Sequence, residues 1–255
     1  MPDFSVGSMT MEVEGEGLPV VMIHGLGGTS NSFQTLMPAL DEYKIFRPDL
    51  PGSGRSSVKP GRLGLAGLAS AVYDMLQASG VKKAHFVGHS MGTLICQYLA
   101  AGSTEIVRGM TLFGPILEPP IAARQALKER GQQARAGHMA AIADSISTGS
   151  VSKGKAVASA FVRESILRQD PYGYANHCDA LGAASAADHS SIAVPTLLIA
   201  GETDPVAPVS MARQLEKNLP AAQLEIIPEV GHWMMVEAPD RSAELLRNHL
   251  TACYK

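Results

Sequence analysis

Six apolar runs constrain this chain more than anything else in it. Each is cut off by glycine or proline, and segments with helical periodicity separate most of them. The runs are LPVVMIHGLGG (Leu18 to Gly28), KIFRPDLPGSG (Lys44 to Gly54), AHFVGHS (Ala84 to Ser90), RGMTLFGP (Arg108 to Pro115), VPTLLIAGETDP (Val194 to Pro205) and AQLEIIPEVGH (Ala222 to His232). Their apolarity is continuous rather than alternating, the pattern of strands covered on both faces, as in a parallel sheet flanked by helices. The segments SNSFQTLMPAL, LAGLASAVYDMLQASG, MGTLICQYLAAG, SMARQLEKNL and DRSAELLRNHL fit a 3.6-residue period instead. Gly80 and Gly102 stand where helix stops are needed, and Asp240 is placed to cap the last helix. This alternation predicts an α/β, doubly wound architecture. The leading FSVGSMTMEVEG reads as an antiparallel hairpin at the sheet edge.

The rhythm breaks once. From about Leu117 to His189 there is no buried strand, only Ala-, Gln- and Arg-rich helical sequence such as IAARQALKERGQQARAGHMAAIADSI. The expected organisation is a core over residues 1–116, a helical cap over 117–189 lying across the strand ends, and the core resumed over 190–255. A chain of 255 residues can build one well-cored domain with such an insertion.

Bulk properties narrow the partners. A net charge of −3 gives no reason to expect nucleic acid or an anionic membrane surface. No apolar run approaches the ~20 residues of a membrane span, and the first fifteen residues lack the basic head and apolar core of a secretory signal. Cys96, Cys178 and Cys253 are widely spaced, with no CxxC or Cys/His ligand spacing among them, so inert thiols in a reducing, cytoplasmic setting are expected. There is no HExxH, no GxGxxG after a strand and no P-loop, so neither a metal nor a nucleotide cofactor is called for.

Within the third run, FVGHSMGTL puts Ser90 between Gly88 and Gly92. A sharp strand-to-helix turn would hold this serine in a strained conformation and bring the residues two away on either side together, where a Cβ would clash. A serine needs a base and an orienter. Chemistry in open parallel sheets gathers at the carboxyl ends of the strands, where Ser90 lies together with Asp204 in GETDP and His232 in EVGHW. Glu202 is the neighbouring rival for the acid. His249, on the last helix, reads as surface. His24 and His89 read as loop-supporting hydrogen-bonding residues, and Asp49 as a carboxylate tying down a turn with Arg55.

The motifs HGLGG, DLPGSGRS, GHSMG, GETDP and GHW, in this order, resemble the α/β-hydrolase superfamily over essentially the whole chain. The stretch Asp170 to Pro208 is most similar to the 3-oxoadipate enol-lactonase group and related small carboxylesterases. The resemblance implies a cofactor-independent serine hydrolase of a small ester or lactone, with Ser90 as nucleophile, His232 as base and Asp204 as its orienter. It also implies an oxyanion hole from the backbone N–H groups of Leu26 and Met91. Trp233 and Tyr174 are candidates for substrate contact. Among Arg124, Arg130, Arg135, Arg163 and Arg168, one facing inward would suit an acidic lactone. Thr93 stands where this lactonase group usually has glycine, which narrows the pocket if its side chain points there. Two other readings stay open: hydrolysis of a carbon–carbon bond in a vinylogous diketone, and a ligand receptor on the same fold.

Overall fold

The computed structural model describes residues 3–6, 9–58, 61 and 63–255. Eight strands form one sheet: β1 (Asp3–Val6), β2 (Met9–Glu14), β3 (Leu18–Ile23), β4 (Tyr43–Pro48), β5 (Ala84–His89), β6 (Val107–Phe113), β7 (Thr196–Gly201) and β8 (Ala222–Ile227). Their spatial order is β1-β2-β4-β3-β5-β6-β7-β8. The six from β4 to β8 pair in parallel, while β1 and β2 form the expected antiparallel hairpin on the β4 edge. Residues 7 and 8 of FSVGSMTMEVEG lie outside the described residues.

All six apolar runs contain these parallel strands. β5 and β7 are buried at every residue, as continuous apolarity requires. β8 closes the sheet and is only partly covered. Helices α1 (Leu65–Ala78) and α2 (Met91–Gly102) pack together, with α2 on β5. α7 (Val209–Asn218) packs on β7 and β8, and α8 (Met234–Glu237) and α9 (Pro239–Tyr254) pack with a 3-10 helix, Ser30–Ala39. Between β6 and β7 the chain forms α3 (Ile121–Arg135), α4 (Met139–Gly149), α5 (Ala156–Leu167) and α6 (Pro171–Gly182), pairing α3 with α6 and α4 with α5. Among the described residues, no helix is long and apolar enough to cross a membrane.

Three local expectations change. SNSFQTLMPAL is a 3-10 rather than an α-helix: Thr29 and Ser32 close a capping box at its start, and Pro38 removes a backbone donor near its end. Asp240 does not cap α9. Ala238 holds that position, Pro239 opens the helix, and Asp240 sits in the first turn, where its charge suits the helix dipole. Gly80, at φ +75°, follows the end of α1 as expected, whereas Gly102 is the last residue of α2 itself.

Candidate active site

Ser90 joins β5 to α2 at φ +52°, a left-handed conformation that costs a non-glycine residue about 1–3 kcal/mol. The glycines around it make the turn possible. A Cβ on Gly88 would lie 2.7 Å from the Gly92 carbonyl oxygen, and one on Gly92 would collide with the carbonyl oxygen of Ile23 in β3. The turn is anchored by Ser90 N–H donating to Phe113 O (3.0 Å) and Thr93 N–H donating to Ser90 O (2.8 Å).

The imidazole of His232 lies over the residue that follows this anchor. A Cβ on Gly114 would be 3.0–3.1 Å from the His232 ring and 3.5 Å from Asp204 Oδ2. His232 Nδ1 donates to Asp204 Oδ2 at 2.7 Å. The other Asp204 oxygen accepts from Val206 and Ala207 N–H at 2.7 and 3.0 Å. Burial alone would raise this carboxyl, but the facing His232, its hydrogen bond and the two backbone donors outweigh that and hold it below the usual carboxylate range. Glu202 is exposed and accepts from Glu229 N–H, so Asp204 is the carboxylate that faces His232. Ser90, Asp204 and His232 are only 6, 4 and 4 % exposed.

The loop after β3 turns at Gly25–Gly28, closed by Gly28 N–H donating to Gly25 O (3.1 Å), with Gly27 at φ +78°. Leu26 N–H lies at the second position of this turn, outside its closing bond. Met91 is the first residue of α2, where a helix has no intrahelical carbonyl for its N–H. Met91 follows Ser90 directly, and a Cβ on Gly25, the residue before Leu26, would lie 2.8 Å from that of Ser90.

The other singled-out residues prove to be supports. His24 Nε2 accepts from Leu50 N–H (3.0 Å) and its Nδ1 donates to Gly25 O (2.8 Å). His89 donates from Nε2 to His232 O (2.9 Å); burial, then the neighbouring His232, drives its pKa down to about 3, so it stays neutral. Asp49 accepts from Ser30 N–H (2.7 Å) and from Arg55 Nε (3.1 Å), tying down the turn as expected. Thr93 Oγ1 donates to Ser90 O (2.6 Å) and accepts from Ile116 N–H (3.0 Å), pinning the turn to the chain after β6. Trp233 is buried, with its ring 4.8 Å from His89 and its Nε1–H donating to Ser150 Oγ (3.0 Å). Tyr174 is buried with its ring against Gly27 and Arg130 near its hydroxyl. Arg124, Arg135, Arg163 and Arg168 pair with Glu118, Asp179, Asp144 and Glu164 within the inserted region. His249 is not a surface residue: half-buried, it meets the His85 ring edge-on at 5.2 Å.

Four supports escaped sequence reasoning. Gly27 O accepts from Ser165 Oγ (2.7 Å) and Gln169 Nε2 (3.2 Å), fixing the Leu26 loop to α5 and to the connection between α5 and α6. The buried Glu237 carboxylate accepts from Gly231, Trp233 and Ser152 N–H, each at 2.9 Å, and His232 N–H donates to Ser150 O (2.8 Å). No local motif announces the bonds of Ser165, Gln169, Ser152 and Ser150, because each joins segments far apart in the chain. A cleft of about 470 Å³ lies against α5, lined by Asn31, Arg55, Phe161 and Arg168 among others, and it does not reach Ser90.

Comparison with known proteins follows the same lines. The chain is 28% identical over 247 residues to 3-oxoadipate enol-lactonase 1 of Acinetobacter baylyi, covering 93% of this chain and 91% of that protein. It is 28% identical over 257 residues to the 2-hydroxymuconate semialdehyde hydrolase of Pseudomonas putida, covering 93% and 88%. The enol-lactonase structure from Burkholderia xenovorans superposes with a TM-score of 0.92 over 98% of this chain and all of that one, a likeness of fold at 24% identity. The alpha/beta hydrolase fold family matches residues 19–136 and 133–239, and this chain belongs to it.

Proposed function

We propose that the chain is a cofactor-independent serine hydrolase, acting in the cytoplasm, that opens a small ester or lactone through an acyl-enzyme on Ser90. The observation that carries this reading is a serine held at φ +52° on a glycine-cleared turn anchored to Phe113, with a buried imidazole–carboxylate pair packed at the next residue, Gly114. His232 takes the Ser90 proton as Oγ attacks the carbonyl, and the negative oxygen that develops is met by Leu26 and Met91 N–H. One such donor contributes about 3 kcal/mol to transition-state stabilisation. Asp204 fixes the tautomer that leaves Nε2 free and stabilises the imidazolium. His232 then protonates the leaving alkoxide, which stays tethered when the substrate is a lactone, and finally activates the water that releases the acid.

Tyr174 and Trp233 act in this reading by shaping the loops around the pocket. Pairing of four of the five arginines with carboxylates of the inserted region favours a neutral ester or lactone over an acidic one. The experiment is hydrolysis of short-chain aryl esters and small lactones by the wild type and by Ser90→Ala, with mass spectrometry of a phosphonate adduct. The expected result is a loss of at least a thousandfold in kcat for Ser90→Ala and a single adduct on the peptide carrying Ser90. Equal rates in the two proteins would reject the proposal. The likeness to a 2-hydroxymuconate semialdehyde hydrolase favours one second reading, carbon–carbon cleavage of a vinylogous diketone. Faster turnover of a ring-fission diketone than of any ester in the panel would select it.

A further inference from the structure

At the end of β5 remote from Ser90, roughly 16 Å down the strand, three donor side chains converge. His85 lies in β5, and His249 and Cys253 lie four residues apart on one face of α9. One donor atom from each lies within 4.8 Å of the others. His249 Nε2 is 3.6 Å from Cys253 Sγ, which is the edge of a tetrahedral site with Zn–N and Zn–S bonds of about 2.1 and 2.3 Å.

His85 supplies an independent reason to look for a ligand here. The ring is wholly buried, Nε2 is hydrogen-bonded to Thr111 Oγ1 at 2.9 Å, and Nδ1 has no partner among the described residues. A buried imidazole nitrogen without a partner is costly, and an Nε2–H given to a hydroxyl leaves the Nδ1 lone pair directed at the cluster. This is how a neighbouring group orients a metal-binding histidine. The space it faces is kept open by Gly109, where a Cβ would lie 3.0 Å from Cys253 Sγ and 3.1 Å from His85 Nδ1. Backbone carbonyls of Met110 and Pro195 lie near the His249 ring. The half-buried His249 and Cys253 give the cluster a route to solvent.

We propose that His85 Nδ1, His249 Nε2 and Cys253 Sγ bind one zinc-class divalent ion, with a water as fourth ligand, clamping α9 to the centre of the sheet. Two imidazoles and a thiolate select a borderline-soft ion over magnesium or calcium, which take oxygen ligands. On binding, Cys253 loses its thiol proton to solvent and forms the metal–sulfur bond; no group is oxidised or reduced. Closing the three donors onto one ion takes a movement of about 1 Å by the side chains on α9. His249 and Cys253 form an HxxxC pair, a spacing that becomes a ligand pair only on a helix.

The test uses the full-length, tag-free chain. Zinc is titrated by calorimetry, and cobalt by absorption as a thiolate probe, against wild type, Cys253→Ser and His249→Gln. Both substitutions fall on the last turns of α9, so retention of fold is checked by circular dichroism. The expected result is one zinc per chain, a higher unfolding temperature with zinc but not magnesium, and a thiolate-to-cobalt charge-transfer band. Each variant should bind zinc at least tenfold more weakly, and Cys253→Ser should lose the band. Zinc binding that is absent, unchanged in both variants, or unaccompanied by the thiolate band in wild type would overturn the proposal.

Discussion

Ser90 is held at φ +52° by neighbours that lack side chains, and the strain keeps its hydroxyl at the head of α2 rather than folded back into a strand. The same logic makes Asp204 more than a charged neighbour. Its two oxygens are divided, one to His232 Nδ1 and one to the Val206 and Ala207 N–H groups, so the carboxylate can turn neither away from the imidazole nor toward water. Replacing it with asparagine keeps the shape but offers an N–H where His232 also carries one, which forces the wrong tautomer. Asp204→Asn is therefore expected to lower kcat about 10⁴-fold with an unchanged circular dichroism spectrum. A variant retaining a tenth or more of wild-type turnover would show that His232 is oriented by something else. The glycines and the order Ser90, Asp204, His232 were legible in the sequence because each sits in a short motif with a local steric or chemical requirement. Glu202 and Asp204 were separable only by position, and the structure separates them by what each accepts from.

At the scale of elements, the site is a set of loops latched to the helices between β6 and β7. The Leu26 loop hangs from Ser165 and Gln169 through the Gly27 carbonyl, and the His232 loop hangs from Ser150 and Glu237. Four of these bonds join residues 82 to 142 positions apart, which is why no motif revealed them, while the Glu237 bonds to Gly231 and Trp233 are local. Strands were legible where burial is uniform, as in β5 and β7, whereas the helical pattern of Ser30–Ala39 gave no sign of its 3-10 form. Two predictions belong here. The double variant Ser165→Ala, Gln169→Leu releases the Gly27 carbonyl and lets Leu26 N–H drift; a displacement near 1 Å costs about a hundredfold in kcat, with the unfolding temperature little changed. Glu237→Ala strips three buried N–H donors of their acceptor and is expected to cost about 3 kcal/mol of stability together with most of the activity. Glu237→Gln, able to accept but not at both oxygens, should fall between. Urea unfolding and steady-state kinetics on the same preparations separate the two latches, since only the second should move both readouts.

Across the whole molecule, the imidazoles the fold keeps neutral set its response to acid. His24, His85, His89 and His177 are all buried; burial lowers every one of them, His89 to about 3 and His177 to about 4. They sit in three elements: His24 in the loop after β3, His85 and His89 in β5, and His177 on α6, donating to Pro51 O at 2.9 Å. In the unfolded chain a histidine titrates near 6.5. Between that value and the lowered folded value the unfolded state binds the extra proton, so stability is complete above pH 6.5 and falls as the pH drops toward the folded values. From pH 7 to pH 5, His89 and His177 alone should each remove about 2 kcal/mol, together a large share of the 5–15 kcal/mol typical of a folded domain. Asp204, whose carboxyl is held low, adds its loss only below the carboxylate range and leaves this window to the histidines. Urea unfolding at pH 7 and pH 5 should show a clear fall in midpoint, smaller in His177→Gln because one of the titrating groups is gone. A midpoint that stays level between those pH values would mean that these imidazoles are not neutral inside the fold, and the assignment of His89 as an uncharged support for the His232 loop would fail with it.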